Sequence, residues 1–331
     1  MRLHPFNSAV RGRHFTERGR MRSRLVLPGP QHRGPKWRLN RLSLIPALMA
    51  IVGSAMFLYP DAAAWVTQYN QSQIIAVYDE QVNNAEPEAT EQIRQARLYN
   101  EALNAGAVLD ANANKPRGTG TSVNDLLDYD HQLRASATGL MARIRIPKIH
   151  LDLPIYHGTS EQTLLNGAGH LKGTSLPVGG IGTRTVITAH RGLAEAEMFT
   201  NLDKVGEGDT FVLEVFGEVL TYKIISTEVI EPEATEAIRF QEGKDLATLI
   251  TCTPLGINSH RILVTGERVL PTPTEDIEQQ GSSPDVPFFP WWAVFFLLSL
   301  CVIALYVWWA GRPIAKGRRQ KEARKALKKS R

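Results

Sequence analysis

The chain has 331 residues and a formal net charge of +5, from 38 Lys/Arg and 33 Asp/Glu. That length leaves room for about two domains. The basic balance invites a nucleic-acid reading, but the excess base sits in two tails without interleaved aromatics, which argues against a nucleic-acid-binding face.

Residues 1–41 carry 11 Lys/Arg against one acid and residues 311–331 carry 10 against one, leaving 17 bases and 31 acids between them. The first tail is rich in Arg, Gly and Pro and has no hydrophobic period, so it reads as disordered. Beside it, Leu42 to Pro60 runs uncharged for 19 residues, and Pro287 to Ala310 runs uncharged for 24. Either is long enough to cross a hydrocarbon core, and Trp291, Trp292, Trp308 and Trp309 stand where an interfacial belt would place them. Positive flanks stay on the cytoplasmic side, so the expected topology has both termini inside and the acidic middle outside. A cleaved signal peptide is the alternative for the first run. Its long basic preamble and the interruption at Pro46 favour an uncleaved anchor.

After the first span, Trp65, Val66, Tyr69, Ile74, Ile75 and Tyr78 recur mainly at three-to-four spacing, which predicts a helix over 62–82. Pro87 opens a second helical stretch, Glu88 to Ala105. Residues 106–123 read as a loop. From Met141 the pattern turns to strands: Ile144 and Ile146 alternate, and Leu151 to Tyr156 and Thr183 to Thr188 are short extended runs. Phe211–Phe216 and Leu220–Ile230 flank a hairpin at Gly217-Glu218, and Leu246–Thr251 and Ile262–Val264 follow. No βαβ rhythm and no internal repeat is present. A closed all-β barrel is the natural way to bury so many short strands without exposed edges. Residues 271–286 read as a Pro/Ser/acidic linker.

Cys252 is the only cysteine outside a membrane-type run. Cys301 lies inside the second span, so the two cannot pair without gross rearrangement. An unpaired thiol in a disulfide-permissive compartment is unusual for a structural residue. It ends one apolar run, a Pro/Gly/Asn turn follows, and the next run begins at Arg261, so a thiol and a guanidinium share one strand junction. A nearby cation favours the reactive thiolate. His190 ends the run Thr183–Thr188, where a rigid scaffold presents groups to a loop. Each residue alone has a plainer reading: a buried cysteine, a solvated histidine, a strand-edge ion pair. The region between the spans has six histidines (His131, His150, His157, His170, His190 and His260), and spacing alone does not choose among them. By strand alternation His260 faces away from Arg261. No CxxC or HxxxH spacing points to a metal.

Together these stretches resemble the sortases, most closely the class C subgroup that assembles pili. The resemblance rests on Thr248-Leu-Ile-Thr-Cys252-Thr-Pro-Leu-Gly-Ile-Asn-Ser-His-Arg261 and on Thr188-Ala189-His190-Arg191-Gly192. It extends over Ile146-Pro-Lys-Ile, Leu153-Pro-Ile-Tyr-His-Gly-Thr-Ser-Glu161, Gly169-His-Leu-Lys-Gly-Thr-Ser-Leu-Pro-Val-Gly-Gly and Phe199-Thr-Asn-Leu-Asp. The resemblance implies an eight-stranded sortase-type β-barrel and maps the family's His, Cys and Arg onto His190, Cys252 and Arg261. It implies a cofactor-free transpeptidation in which Cys252 attacks the Thr–Gly bond of a Leu-Pro-x-Thr-Gly-like sorting signal. An amine, usually a pilin lysine, resolves the thioester. Class C members usually carry a lid with an Asp-Pro-aromatic or similar tripeptide. In this chain the loop reads Val108-Leu-Asp110-Ala-Asn-Ala-Asn114, so Asp110 is a lid candidate without the aromatic plug.

The expected organisation follows. Residues 1–41 and 311–331 are basic cytoplasmic tails, 42–60 and 287–310 are spans, 61–140 is a helical stalk with the lid-region loop, 141–270 is the barrel, and 271–286 is the linker. The expected partners are pilins or other surface proteins bearing the sorting signal, an amine acceptor, and the membrane. Two rivals stand beside the pilus reading: a housekeeping sortase that uses a cell-wall amine, and a non-catalytic membrane-tethered β-module.

Overall fold

The computed structural model describes residues 37–104, 107–109, 116–118, 121–122, 128–312 and 327, and the side chains of 104–127 lie outside the description. Asp110, the lid candidate, is therefore outside the described residues. The chain divides into two units, Leu42–Tyr306 and a smaller one made of Met1–Arg41 with Val307–Arg331. In the smaller unit Trp37 Nε1 donates to Trp308 O at 2.9 Å and the Arg38 N–H to Gly311 O at 3.1 Å.

The larger unit begins with helix α1, Leu44–Ala76, which runs without a break from the first apolar run into the stalk, Pro60 included. At about 1.5 Å per residue it is about 50 Å long. Its first half exposes large apolar side chains such as Ile45, Leu48, Met49, Val52 and Phe57. An apolar surface of that kind suits lipid. Helix α2 (Tyr78–Asn83) and helix α3 (Ala89–Ala102) follow, and the half-buried faces of both pack on the barrel through Tyr78, Val82, Ile93, Ala96 and Tyr99. The region read as a loop over 106–123 contains short backbone ladders: Leu103–Asn104 pairs with Thr121–Ser122, and Ala107–Leu109 with Pro116–Gly118.

Eight strands close the barrel. They are β1 (Leu140–Ile146), β2 (Leu151–His157), β3 (Ala168–His170), β4 (Thr183–Thr188), β5 (Thr210–Val215), β6 (Glu218–Ile230), β7 (Asp245–Thr253) and β8 (His260–Arg268). Around the barrel the order is β6-β8-β7-β4-β3-β2-β1-β5, with β5 returning to β6. The pairs β2–β3 and β4–β7 are parallel and the rest antiparallel. The hairpin between β5 and β6 turns at Phe216-Gly217 rather than Gly217-Glu218. Both turn residues have positive φ, 47° and 86°. Two left-handed residues in a two-residue loop match the right-handed twist of the strands they join.

Side chains alternate in and out along each strand. Ile187, Ala247, Leu249, Ile262 and Val264 point into the main core. Val186, Ile250 and Leu263 point outward, where Leu171 and Ile238 cover them as a second cluster. On β1 the outward residues are Arg143 and Arg145. They are buried because the chain after the barrel, including helix α5 (Thr274–Glu278), lies across them. Arg143 Nη1 donates to Ser282 O at 2.9 Å and Arg145 Nη1 to Gln279 Oε1 at 2.6 Å. Helix α6, Trp291–Ala310, is the second long apolar helix.

Candidate active site

Outward alternation on β7 and β8 carries the site. Two residues beyond Ile250 is Cys252, and two before Leu263 is Arg261, so both face the outer side of the barrel. The register makes them direct cross-strand partners, and such pairs hold their Cβ atoms about 5 Å apart. Strand β4 runs parallel to β7 with Thr188 opposite Ile250. Beyond it, the Ala189 N–H donates to Ile250 O at 3.3 Å and Thr251 Oγ1 donates to Ala189 O at 2.9 Å. Continued by two residues, that register sets His190 opposite Cys252. Three residues singled out in the sequence thus converge at one end of three adjacent strands.

All three are buried: Cys252 is 5% exposed, His190 3% and Arg261 0%. A guanidinium this deep needs partners, because an uncompensated buried charge costs several kcal/mol. Arg261 Nη1 donates to Asn258 O and His260 O, both at 2.9 Å. The side chain therefore braces the turn between β7 and β8, where Asn258 holds a left-handed φ of 58°. His260 pairs with Thr253 in the register and is exposed, bonded through Nδ1 to Ser259 Oγ at 2.8 Å. It faces away, as alternation predicts.

Burial pushes the Cys252 thiol above its usual value, and the Arg261 charge pulls it part of the way back. At neutral pH the group rests as a thiol, so nucleophilic attack calls for a base beside it. The neighbouring imidazole fits that need. Among the described residues no three His, Cys, Asp or Glu side chains converge as a metal-binding group.

Two further residues belong to the geometry, and sequence reasoning gave neither a role. Glu161 Oε1 stands 3.5 Å from His190 Nε2. It opens helix α4 (Glu161–Asn166), whose N-cap Ser160 accepts from the Thr163 N–H. Arg191 fastens the histidine loop to the cysteine strand: Nη1 donates to Thr253 Oγ1 at 2.9 Å, Nε to Thr200 O at 3.2 Å, and Nη2 meets Asp203 at 2.7 Å. Both lay inside stretches quoted for the family resemblance, but only the fold places them against His190 and Cys252.

The fold and site together define a closed mixed β-barrel that carries a buried thiol, imidazole and guanidinium on its outer face. The sortase domain matches residues 144–269. A solved Streptococcus pneumoniae sortase C, described in terms of catalysis and pilin substrate specificity, is 41% identical with a TM-score of 0.52. That similarity covers 60% of this chain and 96% of the other. Sortase C1 from Streptococcus agalactiae is 35% identical with a TM-score of 0.52, over 60% of this chain and all of that one. Sortase D of Bacillus subtilis is 32% identical over 130 residues, 38% of this chain and 62% of that protein. The chain thus spans less than two thirds of that curated relative. The chain belongs to the sortase family.

Proposed function

We propose that this protein is a membrane-anchored cysteine transpeptidase of the pilus-assembling type, with both termini cytoplasmic and the barrel outside. The observation that carries the reading is the cross-strand pairing of Cys252 with Arg261, with His190 seated beside them. Cys252 Sγ attacks the carbonyl carbon of Thr in a Leu-Pro-x-Thr-Gly-like signal as its proton passes to His190. The oxyanion that forms is stabilised by Arg261. The Thr–Gly bond breaks, the leaving amine takes the proton from His190, and a thioester remains on Cys252. An incoming amine, a pilin lysine in this reading, gives its proton to His190 and displaces the thiolate, which leaves an isopeptide bond. The likeness to a sortase C whose description names pilin specificity supports that acceptor.

The test is intact-mass analysis of the detergent-solubilised full chain mixed with a Leu-Pro-x-Thr-Gly peptide. The expected product is a Cys252 adduct carrying the peptide up to Thr, absent from Cys252→Ala. A lysine-bearing pilin peptide should then release it. Persistence of the peptide unchanged, with no adduct, would refute the enzyme reading and leave the non-catalytic module. Release only by a peptidoglycan-stem amine would select the housekeeping type.

A further inference from the structure

Helix α1 and the start of α2 measure height along the barrel. Tyr59, at the end of the first apolar run, donates to Glu195 Oε1 at 2.7 Å. Higher up, Gln68 Nε2 donates to Glu197 Oε2 at 3.2 Å, and Gln71 Nε2 reaches Asn166 O at 3.2 Å and Met198 Sδ at 3.5 Å. Higher still, Tyr78 donates to Met141 O and accepts from the Phe216 N–H, both at 3.0 Å. At helical rise, Tyr59 and Tyr78 are about 28 Å apart. The loop that follows His190 therefore sits at the low rungs, where the apolar run ends. The β5–β6 hairpin sits at the high ones.

Two independent features mark the same low pole. The turn between β7 and β8, next to Cys252, displays Leu255 and Ile257 at 51% and 67% exposure. Leu255 packs over Gly192 of the histidine loop, where a Cβ would stand 2.5 Å from Leu255 Cδ2. The second feature is the return to the second apolar helix. Trp65 Nε1 donates to Phe288 O at 2.7 Å, and the Phe288 ring meets His150, in the turn between β1 and β2, at 5.5 Å. The barrel is thus held at this pole by both apolar helices.

We propose that the Cys252 pole of the barrel rests on the outer face of the membrane, with loops 192–197 and 254–258 in contact with the lipid surface. The inference rests on the anchored reading of the two apolar helices. Glu195 and Glu197, the acids of the first loop, are turned toward Tyr59 and Gln68, which leaves the small and apolar residues of both loops for the bilayer. Leu255 and Ile257 are side chains of a kind that gains by leaving water for an interface. A polypeptide held in the same membrane close to its recognition sequence would reach Cys252 sideways, along the bilayer surface.

The test uses the full chain in nanodiscs of phosphatidylcholine and phosphatidylglycerol, in a Cys252→Ala, Cys301→Ala background. Single cysteines for spin labels are placed by Ile257→Cys, by Ala194→Cys, and by Glu242→Cys at the other end of β7. The ratio of relaxation by oxygen to relaxation by a water-soluble nickel chelate reports contact with lipid. Labels at 257 and 194 should show a ratio several-fold above that at 242. Equal, water-like ratios at all three positions would overturn the proposal and leave Leu255 and Ile257 as a surface for a protein partner. Two low-pole sites guard against one variant failing to fold. Because the background lacks Cys252, the outcome is independent of the transpeptidase reading. A chain that does not co-purify with the discs would overturn anchoring and this proposal together.

Discussion

Cys252 feels two opposed effects, burial raising its pKa and the Arg261 charge lowering it, with burial the larger. Alkylation of Cys252 in a Cys301→Ala chain should therefore climb with pH beyond the range of an ordinary thiol, since only the thiolate reacts. Arg261→Ala removes the lowering influence, so the midpoint should move further up and alkylation at a fixed pH should slow. Transpeptidation should fall on the order of 10²-fold if the guanidinium also meets the oxyanion. An unmoved midpoint with near-full turnover would leave Arg261 only its brace on the 258–260 turn. Cys252 and Arg261 were legible in the sequence because a lone thiol and a charge opening an apolar strand are conspicuous by type. His190 needed its motif. Glu161 and Arg191 were not legible, since a carboxylate and a guanidinium gain such roles only when α4 and Asp203 are brought beside them.

At the scale of elements, strands with long alternation or β-branched runs were readable, and their ends were not. Strand β7 reaches Thr253 and β8 starts at His260, so Cys252 lies within the sheet rather than in the junction. Strand β3, Ala168-Gly-His, has no local signature; its place is set by pairing with β2 and β4. The role of the segment after the barrel was equally hidden, because its partners are the outward arginines of β1. Glu214 on β5 accepts from Arg145 Nε at 2.7 Å and Arg143 Nη1 at 3.4 Å, while Asp152 takes the rest of Arg143. The Gly281 N–H also donates to Glu214, at 3.3 Å. Removing one member of such a buried network strands charge, and Glu214→Ala should cost about 3–5 kcal/mol. Glu218→Ala, which breaks an exposed pair with Arg97, should cost less than about 1 kcal/mol. Thermal unfolding of the full chain measures both, and faster proteolysis within 274–286 should accompany only the first. Equal losses would mean that the network does not hold that segment.

On the scale of the whole molecule, the charge split between tails and middle and the two apolar helices bear on the same question from different sides. The barrel-side ends of the helices meet: Trp65 on α1 and Trp292 on α6 pack edge to face at 6.3 Å. Near the other ends, Trp37, ahead of the first run, donates to the Trp308 carbonyl within α6. A chain that leaves and re-enters a bilayer as such a hairpin keeps both tails on one side. The tails hold 21 of the 38 Lys/Arg, so the proposed topology puts that side in the cytoplasm. Protease added to intact protoplasts should remove residues 61–286 from the outside while sparing epitope tags at both ends. Loss of the C-terminal tag would break the hairpin reading, because α6 would then not cross. Loss of the N-terminal tag alone, with a new N-terminus near residue 60, would mean that the first run is cut as a signal peptide. In that case Tyr59 could no longer hold Glu195, and the barrel would hang from α6 alone. Spin labels at 194 and 257 would then lose their lipid contact along with the tag, which ties the orientation of the Cys252 pole to an intact α1.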